Sequence, residues 1–125
     1  MGHPVFCFIY SFHVAHAIKC IESDPDSNVP KICTFESDQI GCAWNIRQCS
    51  LYRAIDEWIY NSDNAEAEYG PIEFWDVSHV KNMNGLFDEK TTFNENISLW
   101  NVSNVESFRS TFWGASAFDQ PIGQW

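Results

Sequence analysis

Apolar residues recur with a fixed period in the C-terminal half of the chain. Trp75, Trp100 and Trp125 are equally spaced, which gives a period of 25, and superimposing the first full unit on the second gives seven identical positions. A period of about 20–29 residues is typical of leucine-rich repeats, in which each unit stacks on the next. The pattern therefore predicts a repeat domain over residues 71–125, with two full units and the start of a third.

Each unit is predicted to contain a short strand followed by a helix. Trp100 and Val102 alternate as in a strand that buries both side chains. Val105, Phe108 and Phe112 have the three- and four-residue spacing of a helical face. The predicted fold class is therefore α/β, a leucine-rich-repeat-like solenoid of short parallel strands plus helices.

The residues ahead of the repeats predict a cap over the first unit. Leu51, Ala54, Ile55 and Trp58 share one face of an amphipathic helix over 50–60. We expect residues 50–70 to be a capping helix and a linker, with Asn61 and its polar neighbours ending the helix. Solenoids usually need about three repeats and caps at both ends. We therefore expect a truncated array, whose open C-terminal end is covered by further repeats or by another chain.

Residues 1–17 predict a secretory signal peptide. The stretch has no acidic or basic side chain except His, and Ala15-His16-Ala17 matches an A-x-A cleavage site. The usual Lys or Arg near the amino terminus is missing, so a buried strand or helix of the mature fold is the alternative. With a signal peptide, the protein is predicted to be extracellular or at the cell surface.

Cysteines support that prediction. Cleavage after Ala17 removes Cys7 and leaves an even number in the segment 18–49, which is otherwise predicted to be irregular. An even set in a secreted chain predicts two disulfides with three possible connectivities. Zinc is the alternative, but the spacings lack the close C-x2–4-C pair of structural zinc sites. The predicted disulfide cysteines are Cys20, Cys33, Cys42 and Cys49.

The segments WDVSHVKNMNGLF, FNENISLWNVSNV and FWGASAFDQPIGQW resemble the BspA-like leucine-rich-repeat family of surface proteins. The resemblance covers about residues 71–125, with departures at Asp88-Glu89-Lys90 and Glu106-Ser107-Phe108. It implies a secreted or surface-anchored adhesion module that binds protein or glycan without catalysis. The alternative is a structural assembly subunit whose open repeat end docks on a partner chain.

Composition excludes several classes of partner. Seven Lys and Arg against 17 Asp and Glu give a formal net charge of −10. Nucleic acids and anionic lipids are bound by clustered Lys and Arg, so we expect no nucleic-acid partner. The sequence lacks the apolar run of about 18 residues that a membrane helix needs, so we expect no membrane insertion. The aromatic content of 16% is interpreted as repeat core, with a sugar-binding platform as the alternative.

We predict neither enzymatic activity nor a cofactor, because the sequence lacks the usual catalytic and nucleotide-binding motifs. Asp24-Pro-Asp26-Ser-Asn28 resembles the start of a calcium loop, but Val29 and Phe35 replace its Gly and Glu. Seven carboxylates and no Lys or Arg lie between Asp56 and Asp76. We predict no metal site and interpret that run as a solvated face, leaving a calcium-dependent module as a third alternative.

Outward positions on the predicted strands supply the candidate binding residues, since solenoids commonly recognise partners on their concave face. The sequons Asn96-Ile-Ser98 and Asn101-Val-Ser103 also make Asn96 and Asn101 candidate glycosylation sites. The predicted binding residues are Glu73, Asp76, Ser98 and Asn101.

Overall fold

A computed structural model of the 125-residue chain describes strand backbones at 6–9, 16–21 and 32–36, the side chains of 33–35, and all of residues 50–125. The strands are β1 (Phe6–Ile9), β2 (His16–Ile21), β3 (Ile32–Glu36) and β4 (Asp76–His79). They form one sheet in the order β1-β2-β3-β4. The first two pairings are antiparallel, and β4 joins β3 in parallel.

The N-terminal strands differ from the irregular structure that we expected over part of 18–49. Most of β2 and all of β3 lie in that segment. Strand β1 also lies within residues 1–17, the segment that was predicted to be a signal peptide. A strand there is the alternative that the sequence left open, and the signal peptide stays a prediction.

One predicted disulfide cysteine has a described side chain. Cys33 takes part in a disulfide and is fully buried, and the register of β2 and β3 sets Cys20 opposite it. The side chain of Cys20, and Cys42 and Cys49 entirely, lie outside the described residues. The connectivity therefore stays open, as the sequence left it.

A helix forms over the predicted residues 50–60, and the residues after it, which were expected to be a linker, form a second helix. Helix α1 spans Ser50–Tyr60, and helix α2 spans Ser62–Tyr69. Asn61 begins α2 instead of ending helical structure, because its side-chain oxygen accepts the Asn64 backbone N–H at 3.2 Å. Gly70, at φ 81°, follows α2. Neither helix has the length and apolar character that a bilayer-crossing helix needs.

The helix predicted inside each repeat unit is wrong. Residues 84–89 and 109–114 form successive turns. In the first unit, Leu86, Asp88 and Lys90 donate their backbone N–H groups to the carbonyl three residues earlier. The intervening N–H groups donate to the second unit instead. Left-handed backbone at Gly85 and Ser110 also interrupts helical geometry, since helical residues need negative φ.

Five backbone hydrogen bonds join the two units. The Glu106 N–H donates to the Lys81 carbonyl at 2.8 Å, and the other four bonds run from the first unit to the second. Their donors are the N–H groups of Met83, Gly85, Phe87 and Glu89, and their acceptors are the carbonyls of Ser107, Arg109, Thr111 and Trp113, at 2.8–3.0 Å. The second unit lacks the strand expected at Trp100–Val102, although Asn82 and Ser107 form a parallel β-bridge. The ladder sets equivalent residues of the two units side by side.

Aromatic rings stack along this direction, as the repeat predicted. Trp75 and Trp100 are 6.3 Å apart with planes 14° apart. Phe87 and Phe112 are 5.1 Å apart with planes 12° apart. Trp75 is 2% exposed and Trp100 is 3% exposed, which confirms that these aromatics form the core. Burying such rings stabilises the fold by about 1.5–3 kcal/mol per side chain.

Helix α1 covers the first unit through a hydroxyl group. Tyr52 is fully buried, and its OH donates to the Asn84 carbonyl at 2.7 Å and lies 3.3 Å from the Asn82 carbonyl. The equivalent carbonyls of the second unit, on Ser107 and Arg109, accept backbone N–H groups of the first unit. Tyr52 therefore supplies the donor that a preceding unit would supply.

We expect Tyr52→Phe to lower the free energy of unfolding by about 1 kcal/mol, since it leaves the partly buried Asn84 carbonyl without this donor. Urea denaturation should show a lower midpoint with an unchanged m value. Tyr60 is 91% exposed, so Tyr60→Phe is the matched control and should shift stability by less than about 0.5 kcal/mol. Equal stability of Tyr52→Phe and wild type would contradict the capping role of the hydroxyl.

Candidate functional site

Two exposed apolar residues occupy equivalent positions in neighbouring units. Phe74 and Leu99 are one repeat period apart, and each immediately precedes a buried Trp. Phe74 is 38% exposed and Leu99 is 66% exposed. Phe74 ends a short 3₁₀ helix, Ile72–Phe74, and Leu99 lies in a turn, and each exposes its side chain where the Trp that follows it is buried.

Buried hydrogen bonds hold both Trp side chains in place. The Trp75 indole N–H donates to the Gly70 carbonyl at 2.9 Å. The Trp100 indole N–H donates to the Ile72 carbonyl at 2.8 Å, which ties the second unit to the first. Since the indoles are anchored inward, Phe74 and Leu99 are presented outward from a rigid part of the fold.

A shallow depression of about 230 Å³ lies between these exposed residues. Trp75 and Val77, both buried, contribute to its lining. Its rim combines apolar and acidic groups, and the residues that line it include no Lys or Arg. We call the exposed part of this surface the Phe74–Leu99 face, which consists of Glu73, Phe74, Asp76, Leu99 and Asn101.

The structure brings together three of the four predicted binding residues. Glu73, Asp76 and Asn101 line the depression, whereas Ser98 does not. Ser98 instead donates its backbone N–H and its hydroxyl to the Asn96 side-chain oxygen, at 3.0 and 2.7 Å. These bonds place Ser98 in a tight local turn outside the depression, and a binding role for it stays a prediction.

Asp76 supports the sheet as well as lining the face. One carboxylate oxygen accepts the backbone N–H and hydroxyl of Ser78, and the other accepts the Thr34 hydroxyl at 3.1 Å. Burial acts to raise the pKa of Asp76, but these hydrogen bonds, with His79 nearby, outweigh it and lower the pKa below its usual range. The carboxylate is therefore ionised at neutral pH and links β3 to β4.

Both sequon asparagines are exposed. The side-chain oxygen of Asn101 accepts the Ser103 N–H at 3.1 Å, in the same kind of local turn as at Asn96. Asn96 also lines a second depression, of about 300 Å³, with Glu66, Glu73 and Glu95. In the part of the chain that the structure describes, no group of three or more His, Cys, Asp or Glu residues is placed to hold a metal ion.

The sequence did not lead us to predict Phe74 and Leu99 as exposed residues. A signal for them was present, since both are apolar and both directly precede the repeating Trp. The Trp of each unit occupies the core at this point of the repeat. The position before each Trp was therefore the one to examine for exposed apolar side chains.

We expect Asp76→Asn to destabilise the protein at pH 7 by about 1 kcal/mol or less, because the amide nitrogen cannot accept from Thr34 and the group is partly screened by solvent. The second unit has Asn101 at this position, so the local turn should survive. A carboxylate with a lowered pKa stabilises the fold fully above its ordinary pKa of 3.8 and loses this contribution as pH falls through the folded-state value.

Urea denaturation of both proteins between pH 7 and pH 2 checks this expectation. The stability difference should be constant well above pH 4 and should shrink as the pH falls through the lowered pKa of Asp76. A difference that does not change with pH would contradict the ionised hydrogen-bonded carboxylate. Asp63→Asn, on the exposed first turn of α2, is the control for loss of a negative charge.

A family model described as "Mycoplasma protein of unknown function, DUF285" matches residues 55–125. The match begins within α1 and continues through both repeat units, so it includes the whole Phe74–Leu99 face and more than half of the chain. No curated protein and no solved structure matches the chain. The chain belongs to the DUF285 family.

Proposed function

We propose that the protein is a non-catalytic binding module that recognises a protein or glycan partner through the Phe74–Leu99 face. The observation that carries the proposal is the exposure of Phe74 and Leu99 beside an acidic depression. Water contact with these apolar groups is unfavourable, and covering one of them contributes about 1.5–3 kcal/mol to an interface. Clustered exposed apolar groups with a polar rim are typical of interaction sites.

The chemistry of the face favours a protein partner over a glycan. Glu73 and Asp76 line the depression without a neighbouring Lys or Arg, and the chain has a formal net charge of −10. A peptide segment with an apolar side chain next to Lys or Arg complements both features.

We also propose that the units belong to a solenoid of the BspA-like leucine-rich-repeat type, on a secreted or cell-surface protein. In-register packing of the two repeat units supports the solenoid. The DUF285 family is associated with BspA-like repeat proteins. The disulfide of Cys33 supports an oxidising compartment, since disulfides persist mainly outside the reducing cytosol.

Selection from a random-peptide display library against the whole protein tests the recognition face. We expect the selected peptides to combine an apolar residue with a nearby Lys or Arg. Their affinity should fall by about tenfold or more for Leu99→Ser, which corresponds to about 1.4 kcal/mol. Glu73→Gln should weaken binding less and should also reduce its dependence on salt concentration.

Tyr60→Ser is the control, because Tyr60 is an exposed apolar residue on α1 and should leave peptide affinity unchanged. Peptides that bind Leu99→Ser as tightly as wild type would contradict the proposed face. Binding of arrayed glycans that depends on Leu99, without selection of any peptide, would assign the face to a glycan partner.

A further inference from the structure

The second depression, of about 300 Å³, lies next to the Phe74–Leu99 face, since Glu73 lines both. Residues from separate parts of the chain surround it, namely both helices, the short 3₁₀ helix and the end of the first repeat unit. We call this surface the acidic pocket; its polar lining consists of Trp58, Glu66, Glu73, Glu95 and Asn96.

Trp58 places an unpaired hydrogen-bond donor at the acidic pocket. Its side chain is more than nine-tenths buried, at 9% exposed, and its ring packs edge-on against Trp75 at 5.7 Å. The indole N–H groups of Trp75 and Trp100 donate to carbonyls, whereas that of Trp58 donates to none of the described residues.

The Trp58 nitrogen is also accessible to a ligand. Among the described residues, the side-chain atoms that are both unpaired and sealed from solvent belong to Asp88 and Trp125, and the Trp58 nitrogen is not one of them. The nitrogen therefore meets solvent at the pocket that Trp58 lines. A ligand that brings an acceptor gains a hydrogen bond in a largely dry environment, where such bonds are stronger than in water.

Three carboxylates give the acidic pocket a negative charge, and its lining residues include no Lys or Arg. Glu66 lies on α2, Glu73 on the 3₁₀ helix and Glu95 in the first unit. A metal ion is a poor match, since no acidic or metal-binding group of three within residues 33–35 and 50–125 is placed to hold one. The carboxylates are therefore spread around the pocket. A cation with donors in several directions fits them better than a point charge.

An arginine side chain has this chemistry. Its guanidinium carries several N–H donors in a planar fork and can bond more than one carboxylate. Pro71 and the buried Ile72 also line the pocket, and apolar lining of this kind suits the aliphatic stem of arginine. A carbonyl beside the side chain supplies the acceptor that Trp58 lacks.

The lining favours an arginine within a polypeptide over the free amino acid. Free arginine carries a carboxylate, which would approach three Glu side chains in a pocket whose lining contains no Lys or Arg. Like charges brought together out of water are unfavourable. Inside a polypeptide, an amide carbonyl replaces that carboxylate and can accept the indole N–H.

We propose that the acidic pocket binds an arginine side chain of the partner protein, while a neighbouring carbonyl of the partner accepts the Trp58 indole N–H. This inference rests on the function proposed above, because it assigns the basic residue of the partner to a pocket of its own. Since Glu73 lines both depressions, one short partner segment supplies the arginine and the apolar residue at the Phe74–Leu99 face. Two unlike anchors then fix the direction of the segment.

Blocked arginine, N-acetyl-arginine N-methylamide, is the probe, because it carries the guanidinium and amide carbonyls without a free carboxylate. Binding is measured by NMR titration of the ¹⁵N-labelled whole protein through the indole N–H signal of Trp58, which Trp58→Phe assigns by its loss. The signal should shift until it saturates, with a Kd of about 1 mM for so small a ligand. Blocked citrulline has the same shape without the charge and should bind about tenfold or more weakly.

Glu95→Gln should weaken the binding of blocked arginine by about threefold or more, because it removes one carboxylate without adding bulk. Glu66→Gln, on a different element, should have a similar effect. Glu106→Gln is the matched control, since Glu106 is also exposed but does not line the pocket, and it should leave binding unchanged. Equal weakening by all three substitutions would overturn the pocket, since net charge alone would then attract the probe.

Failure of this inference is distinguishable from failure of the proposed function. Leu99→Ser should leave the binding of blocked arginine unchanged, because Leu99 does not line the pocket. Selected peptides that depend on Leu99, without a Trp58 shift by blocked arginine, would overturn the pocket and leave the face supported. Blocked arginine that binds in a Glu95-dependent manner, with peptides that do not depend on Leu99, would overturn the face and leave the pocket supported.

Two comparisons test the identity of the occupant. Blocked citrulline that binds as tightly as blocked arginine would overturn the assignment to a cation. Free arginine that binds more tightly than blocked arginine would overturn the assignment to a partner protein in favour of the free amino acid. Tighter binding of blocked arginine than of either compound, weakened by Glu95→Gln and not by Glu106→Gln, supports the proposal.

Discussion

Two alternating sets of backbone N–H groups hold the two repeat units in register. Between Met83 and Lys90, one set of N–H groups donates to the carbonyl three residues earlier, and the alternate set donates to the second unit. Buried backbone groups must be paired, so neither set of N–H groups can change its acceptors without leaving a carbonyl unpaired. This constraint excludes an α-helix within the unit. It also fixes which residues of the second unit lie beside those of the first.

The side-chain repeat in the sequence follows from that register. Met83 donates to Ser107 and Phe87 donates to Thr111, so each acceptor lies one position before the residue that is equivalent to its donor. That equivalent residue then lies beside the donor, as Phe112 lies beside Phe87. Any change in unit length would place polar side chains in the aromatic stack.

The ladder also gives the repeat domain two different ends. One end presents carbonyls. The Tyr52 hydroxyl lies against them and acts as a hydrogen-bond donor. An ion pair between Asp56 of α1 and Lys90, at 2.6 Å, adds a second contact between the cap and the first unit. The other end presents N–H groups. A group that covers the first end must therefore donate hydrogen bonds, and a group that covers the second end must accept them.

Periodicity in the sequence predicted the register, the buried Trp residues and α1, because each depends on where apolar side chains recur. It failed for the helix expected from Val105, Phe108 and Phe112, since a series of turns with alternate interunit bonds gives a similar apolar spacing. Helix α2 was missed because Asn61 can end one helix or cap the next. The outward position of Asn101 was found by its alternation with Trp100 and Val102, whereas the sequence analysis made no assignment for Phe74.

Comparison of the two units separates the scaffold from the surface that varies. Of the seven positions that are identical between the units, all but Ser78 are buried in the first unit. On the Phe74–Leu99 face, Phe74 is replaced by Leu99 and Asp76 by Asn101. Packing and the ladder restrict the inward positions to one kind of side chain, while outward positions change shape and charge without disturbing the stack. Each unit can therefore add a different side chain to one continuous face.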